Sequence, residues 1–114
     1  DIVETSTDGI WVLDLEGRTV YANPEIARMH RVDPEQLAAL TVFDTLDEEG
    51  GAQFRAHLDD VRQGRLNDGP VEVQWVRSDG EILWVLCGET ALLDGDGLPR
   101  ALLHRYSDNL GTTS

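Results

Sequence analysis

From Asp8 to Asn23 the chain reads DGIWVLDLEGRTVYAN, an apolar run from Ile10 to Leu15 and another from Thr19 to Ala22, broken by Glu16-Gly17-Arg18. Two short strands joined by a tight turn fit this pattern, with Gly17 able to take the positive φ that such turns ask for. Asn23 closes the second strand with a side chain suited to accept from unpaired helical N–H groups. Pro24 follows where the first helical residue needs no donor. The hairpin therefore hands the chain to a short helix from Asn23 to His30, with Ile26, Ala27 and Met29 able to turn inward. Asp33-Pro34-Glu35-Gln36 repeats the start signal: Asp33 as N-cap, Pro34 at the first position and Gln36 placed to reach back. A second short helix runs through Leu40, and Thr41 to Leu46 supplies one more turn, packed on the core through Val42, Phe43 and Leu46.

Phe54, Leu58 and Val61 stand at i, i+4 and i+7, the mark of an amphipathic helix from Glu49 to Gln63. Arg55, Asp59, Asp60 and Arg62 fall on its opposite face, Gly50 and Gly51 weaken its first turn, and Gly64 is a natural stop. Arg65 to Gly69 is a loop. Beyond it the period changes to two: Val71 to Arg77 alternates, Ser78-Asp79-Gly80 turns, and Glu81 to Leu93 makes a long strand. Asp94-Gly95-Asp96-Gly97 turns again before a last strand from Ala101 to Ser107. Two strands, a helical crossing and three strands in consecutive hairpins predict an α+β fold, a five-stranded antiparallel sheet with the helices gathered on one face. Asp1 to Thr7 reads as the tail of a helix entering the first strand.

Composition narrows the picture. A length of 114 residues suits one domain with a single core, and 40 % apolar residues with three tryptophans argue against disorder. Nine basic against twenty-two acidic side chains give a formal charge of −13, which repels nucleic acid and anionic membrane and acts as a solvated, self-repelling surface. The lone Cys87 excludes an internal disulfide. No apolar run approaches membrane-spanning length and no signal-peptide pattern opens the chain, so a cytoplasmic location is expected. Because the chain begins at Asp1 without a methionine, it is expected to be a piece of a longer protein.

Asp8-Gly9-Ile10, Asp14 with Gly17 and Arg18, Tyr21-Ala22-Asn23-Pro24, Arg77-Ser78-Asp79-Gly80 and Trp84-Val85, at this spacing, make the whole chain resemble a PAS domain. The resemblance implies a sheet ordered 2-1-5-4-3 cupping a small cavity, within a single sensor domain over residues 1–114. Residues 1–7 would end a flanking helix and 108–114 would begin an output linker. It also implies a non-catalytic sensory or dimerising module of a larger, bacterial signalling protein, such as a histidine kinase of a two-component system. The expected partners are an effector domain in the same chain, a second protomer and a small ligand. Many such domains close on Asp-Ile-Thr. Here Asp108-Asn109-Leu110 keeps only the aspartate, and Asp108 takes the relay position.

Strand parity separates Leu102, His104 and Tyr106 from Leu103 and Arg105, and Leu83, Val85, Cys87, Glu89 and Ala91 from Ile82, Trp84, Leu86, Gly88 and Thr90. Similarity to the flavin-binding LOV class of PAS domains then points Trp75, Val85, Cys87, Glu89, Leu102, His104 and Tyr106 inward, with Trp11 and Leu13, while Phe54, His57 and Leu58 close the cup. If Leu93 pairs with Arg100, Glu89 lies opposite His104 and Cys87 opposite Tyr106. Glu89 and His104 then form either the polar end of a ligand cavity or a structural cross-strand pair, or Glu89 is simply an exposed glutamate. Trp11 and Trp75 are its apolar walls, or plugs of a filled core.

The LOV class carries its cysteine in a helical Asn-Cys-Arg-Phe motif that is absent between Asn23 and Gly64, so the chain is expected outside that class, with Cys87 a small apolar core residue. His57 is either an axial haem ligand or a boundary residue, and His30 is expected to be solvated. Asp94 and Asp96 read as a turn rather than a calcium site. Trp84, on the outer face, is expected to pack against the preceding helix or a second protomer. No metal or cofactor is required. Gly-x-Ser-x-Gly, His-Glu-x-x-His, a phosphate loop and Cys-x-x-Cys are all absent, which makes an enzyme the weakest reading, and the resemblance implies a ligand sensor, a ligand-free interaction domain, or a haem or flavin sensor.

Overall fold

The computed structural model describes residues 8–67 and 69–108. Strands β1 (Gly9–Asp14) and β2 (Thr19–Ala22) form the first hairpin, and β3 (Val71–Val76), β4 (Ile82–Leu93) and β5 (Pro99–Asp108) the later meander. Between them run helices α1 (Pro24–His30) and α2 (Pro34–Ala38), a 3₁₀ turn (Val42–Thr45) and α3 (Glu48–Arg62). All pairings are antiparallel and the order is β2-β1-β5-β4-β3, so β1 joins the meander through β5 across the helical excursion. The strands expected to start at Ile10, Glu81 and Ala101 start instead at Gly9, Ile82 and Pro99. The expected helical tail over 1–7 and the linker over 109–114 lie outside the described residues.

Asn23 organises the hand-over from hairpin to helix. Its Oδ1 accepts from Ile26 N at 3.2 Å, capping α1, and from Ile10 N at 3.0 Å, while its Nδ2 donates to Asp8 O at 3.0 Å. One side chain therefore serves both the helix end and the start of β1. Asn23→Ala strips all three bonds and is expected to cost about 1–2 kcal/mol, readable as a lowered urea midpoint at constant m. An unchanged midpoint would mean that water replaces the cap without loss.

Gly17 sits in the β1–β2 turn at φ +85°, and a Cβ there would lie 2.6 Å from Phe43 Cε2. Its carbonyl accepts from Val42 N at 2.9 Å, docking the 3₁₀ turn on the hairpin. At the start of α3, Asp47 Oδ1 accepts from Gly50 N at 2.7 Å, a cap that offsets the weak Gly50-Gly51 turn. Leu58 and Val61 are buried, and Gly64 ends the helix at φ +87°.

The main core lies between α1, α2 and the inner sheet face, with Trp11, Leu13, Ile26, Trp75, Val85 and Tyr106 at its centre. A smaller patch packs Leu58 and Val61 on Leu102. Glu89 pairs with His104 and Cys87 with Tyr106, as parity requires, but Leu93 pairs with Pro99 rather than Arg100. A register shift between Leu92 and Leu93 absorbs the odd residue at the strand end, where turn geometry prevails over the ladder. Among the described residues no helix is long and apolar enough to cross a membrane.

Candidate functional site

Between α3, the 3₁₀ turn and the β3–β5 half of the sheet lies a half-open cleft of about 380 Å³. Phe54 and His57 reach it from α3, Trp75 from β3, Cys87 and Glu89 from β4, and His104 and Tyr106 from β5. The remaining inward candidates lie elsewhere. Trp11, Leu13 and Val85 are buried in the main core, and Leu58 and Leu102 in the smaller patch, with none of them on the cleft wall. Parity selects the face of a strand correctly but says nothing of which residues on that face meet a helix and which meet open space. Asp108 ends β5, and its side chain lies outside the described residues.

Glu89 is the polar centre. Its side chain is 2 % exposed, against 18 % for His57 and 4 % for His104. His57 Nε2 lies 2.7 Å from Oε2 and 2.9 Å from Oε1, and His104 Nε2 lies 3.0 Å from Oε2. Burial alone would raise the carboxyl, but the hydrogen bonds from His104 and His57, with the charge those rings can carry, outweigh it and bring Glu89 down to about 2. An ionised carboxylate only accepts, so both Nε2 atoms carry protons. In the neutral ring His104 Nδ1 then accepts from the Tyr106 hydroxyl, 2.8 Å away. Tyr106 itself is held well above the ordinary phenol range by burial first and by Cys87 and Glu89 second.

A chain Tyr106–His104–Glu89–His57 thus runs from the buried sheet to α3. Because the Glu89 carboxyl is depressed, its contribution to stability is complete above pH 4.5 and is lost as pH falls toward 2. Glu89→Gln is expected to lower stability at pH 7 by about 1–2 kcal/mol and to remove that acid loss, as followed by urea unfolding across pH. An acid limb of the same depth in the variant would assign it to other carboxylates.

The link from Glu89 to His57 was not legible in strand parity, which offered only His104. A signal existed in the helix spacing, since His57 and Phe54 are three apart on the face that meets the sheet. Gln53, Asn67, Val73 and Gln74 also line the cleft unannounced, although Val73 shares the parity of Trp75.

One expectation is corrected. His30 is not solvated but 2 % exposed, with its ring 4.0 Å from the Trp75 ring and edge-on to Trp11 at 5.5 Å. It sits four residues from Ile26, on the inward stripe of α1, and packing overrides the helix-end position. Trp84 lies on the outer face as expected, 49 % exposed, and the preceding helix expected to cover it falls outside the described residues.

Cys87 is buried and its thiol is pushed up to about 12 by burial, which leaves it inert. Asp94 Oδ1 accepts from Asp96 N at 2.8 Å and Leu98 N at 3.0 Å, a self-contained turn. Among the described residues no group of three or more His, Cys, Asp or Glu side chains is placed to hold a metal ion.

An antiparallel 2-1-5-4-3 sheet with one helical layer and a cleft between them defines the sensory-module class. The family model of the PAS fold matches residues 1–108, and the chain belongs to that family. A PAS domain is a sensory module and not itself a catalyst. The fold is similar to that of a PAS domain from Desulfitobacterium hafniense, with a TM-score of 0.75 and 17 % identity over 93 % of this chain and 96 % of that one. It is also similar to a domain of a sensory box sensor histidine kinase/response regulator from Geobacter sulfurreducens, with a TM-score of 0.70 and 23 % identity over 89 % of this chain and 82 % of that one. A light-oxygen-voltage domain studied with a flavin analogue matches with a TM-score of 0.71 and 18 % identity over 94 % of this chain and 81 % of that one. At these identities the likeness is one of fold. No curated protein matches the chain.

Proposed function

We propose that this domain is the sensor of a larger, cytoplasmic signal-transduction protein. A small ligand in the cleft biases the position of α3 against the sheet, and β5 passes that bias through Asp108 to an effector domain in the same chain. The observation that supports this reading is the bridge from His57 on α3 to Glu89 on β4, at the edge of a 380 Å³ opening. That volume falls in the range of small-molecule sites. A ligand that alters the bridge interacts differently with the two arrangements of helix and sheet, which is the physical requirement for a switch.

Comparing native with denaturing mass spectra of the purified protein tests the reading. A mass excess lost on denaturation is expected, and its value identifies the ligand. Equal masses would favour the second reading, a ligand-free interaction domain. That alternative draws on the complete burial of Trp11 and Trp75, which fill much of the cup. A flavin of the light-sensing kind is not proposed, because Cys87 is a buried strand residue and no Asn-Cys-Arg-Phe precedes it. A haem sensor is disfavoured because His57 Nε2, the atom that would bind iron, is held by Glu89.

The homodimer is proposed to form through the outer sheet face, where Trp84 and Ile82 are 49 % and 55 % exposed. Trp84→Asp is expected to shift the domain to monomer in sedimentation velocity. A protein that is dimeric with or without the substitution would place the interface elsewhere.

A further inference from the structure

The cleft carries a chemical preference. Asp47, Glu49, Glu72 and Glu89 line it, together with the amides of Gln53, Asn67 and Gln74, and no arginine does. The chain contains no lysine at all. No guanidinium or ammonium on the wall offers a phosphate or carboxylate a permanent positive charge, and the surrounding field, from a chain of formal charge −13, opposes their approach. Aromatic rings of Phe54, Trp75 and Tyr106 supply faces on which a cation is attracted.

A second feature is independent of the charges. Trp75 is fully buried, lines the cleft, and its indole Nε1 has no hydrogen-bond partner among the described residues. A buried N–H left unpaired costs free energy, and a ligand acceptor that reaches the indole would relieve that cost.

Resting on the ligand-sensor reading above, we infer that the cleft takes a small amphipathic ammonium compound: an N–H-bearing cation on an apolar body that also carries an acceptor such as a hydroxyl or ether. Glu89 serves as its counter-ion. The carboxylate already receives His57, His104 and, at 3.4 Å, the backbone N–H of Asn67. Of the two imidazoles His57 is the more exposed, whereas His104 is also fixed by Tyr106. The ammonium therefore replaces His57 at Glu89, and the bond that tethers α3 to the sheet is exchanged for one to the ligand.

A matched series with one apolar body tests this. 2-Phenylethylamine, 2-phenylethanol and phenylacetate are titrated into the ¹⁵N-labelled domain at low salt, with the Trp75 indole and the Glu89 and His57 amides as reporters. The amine is expected to shift all three reporters and to bind at least tenfold more tightly than the alcohol, with phenylacetate weakest and the preference shrinking as salt is added. 2-Amino-1-phenylethanol, which adds the acceptor, is expected to bind more tightly still. Glu89→Gln should abolish the preference for the amine. Gln53→Arg, at an exposed position on α3, adds a cation to the wall without touching the core and should weaken the amine and strengthen phenylacetate. Equal or tighter binding of the alcohol or the carboxylate at these reporters would overturn the cation inference and leave the ligand-sensor reading standing. Binding by none of the four compounds, together with equal native and denatured masses, would overturn both.

Discussion

Trp11→Ala is expected to be among the most damaging single substitutions in this domain, at roughly 3–5 kcal/mol, the cost of emptying a large aromatic site in a closed core. Trp11 is 0 % exposed on β1, an interior strand beside the central β5. Its ring meets Trp75 at 6.1 Å and Tyr106 at 6.2 Å, edge to face, and its Nε1 donates to Thr19 Oγ1 at 2.9 Å. Thr19 Oγ1 in turn donates to Leu40 O at 2.8 Å, so the indole also anchors the end of the α2 segment to β2. The loss thus combines burial, ring contacts and a hydrogen-bond relay, set against a total stability of about 5–15 kcal/mol for a domain of this size. Urea unfolding reads it directly. A loss under about 1 kcal/mol would mean that neighbouring side chains collapse into the space and that the core does not depend on this residue.

The second large effect is an acid loss of stability centred on His30. Burial first, and the Arg77 guanidinium second, lower His30 from 6.5 to about 4, so the folded protein keeps the ring neutral where the unfolded chain takes up a proton. A depressed imidazole therefore leaves stability whole above pH 6.5 and removes it as pH falls toward 4, by roughly 3 kcal/mol in all. Trp11 and Trp75 enclose the ring, and its Nε2 has no hydrogen-bond partner among the described residues. His30→Leu, similar in volume and without a proton to bind, is expected to flatten unfolding free energy between pH 6.5 and 4 and to raise it slightly at pH 7. The window lies above the one assigned to Glu89, so unfolding at about pH 7, 5.5, 4 and 3 separates the two. An equally steep decline in His30→Leu would shift the cause to the carboxylates.

His30 also shows where sequence reading stops. Near the C-terminal end of a short helix a histidine finds favourable dipole and solvent, and the local pattern pointed that way. Its distance from Ile26 along the chain pointed inward instead, and packing on Trp75 decided between them. Glu89 shows the converse. The pairing of β4 with β5 follows from period two and the turn at Asp94, so its place opposite His104 was legible in the amino-acid sequence alone. The arrival of His57 was not, because it depends on how far α3 stands from the sheet.

The order of elements, the Asn23 hand-over, the turn at Gly17 and the inward parity of each strand were written in neighbouring residues, because hydrogen-bond capping, φ preference and side-chain alternation act over a few positions. The division of inward residues between a dry core at Trp11, Leu13, Val85 and Leu102 and an open cleft at Phe54, His57 and Glu89 was settled only by the tertiary structure. That division depends on the spacing of two packed layers, a distance set by all the side chains between them and by no local stretch of chain.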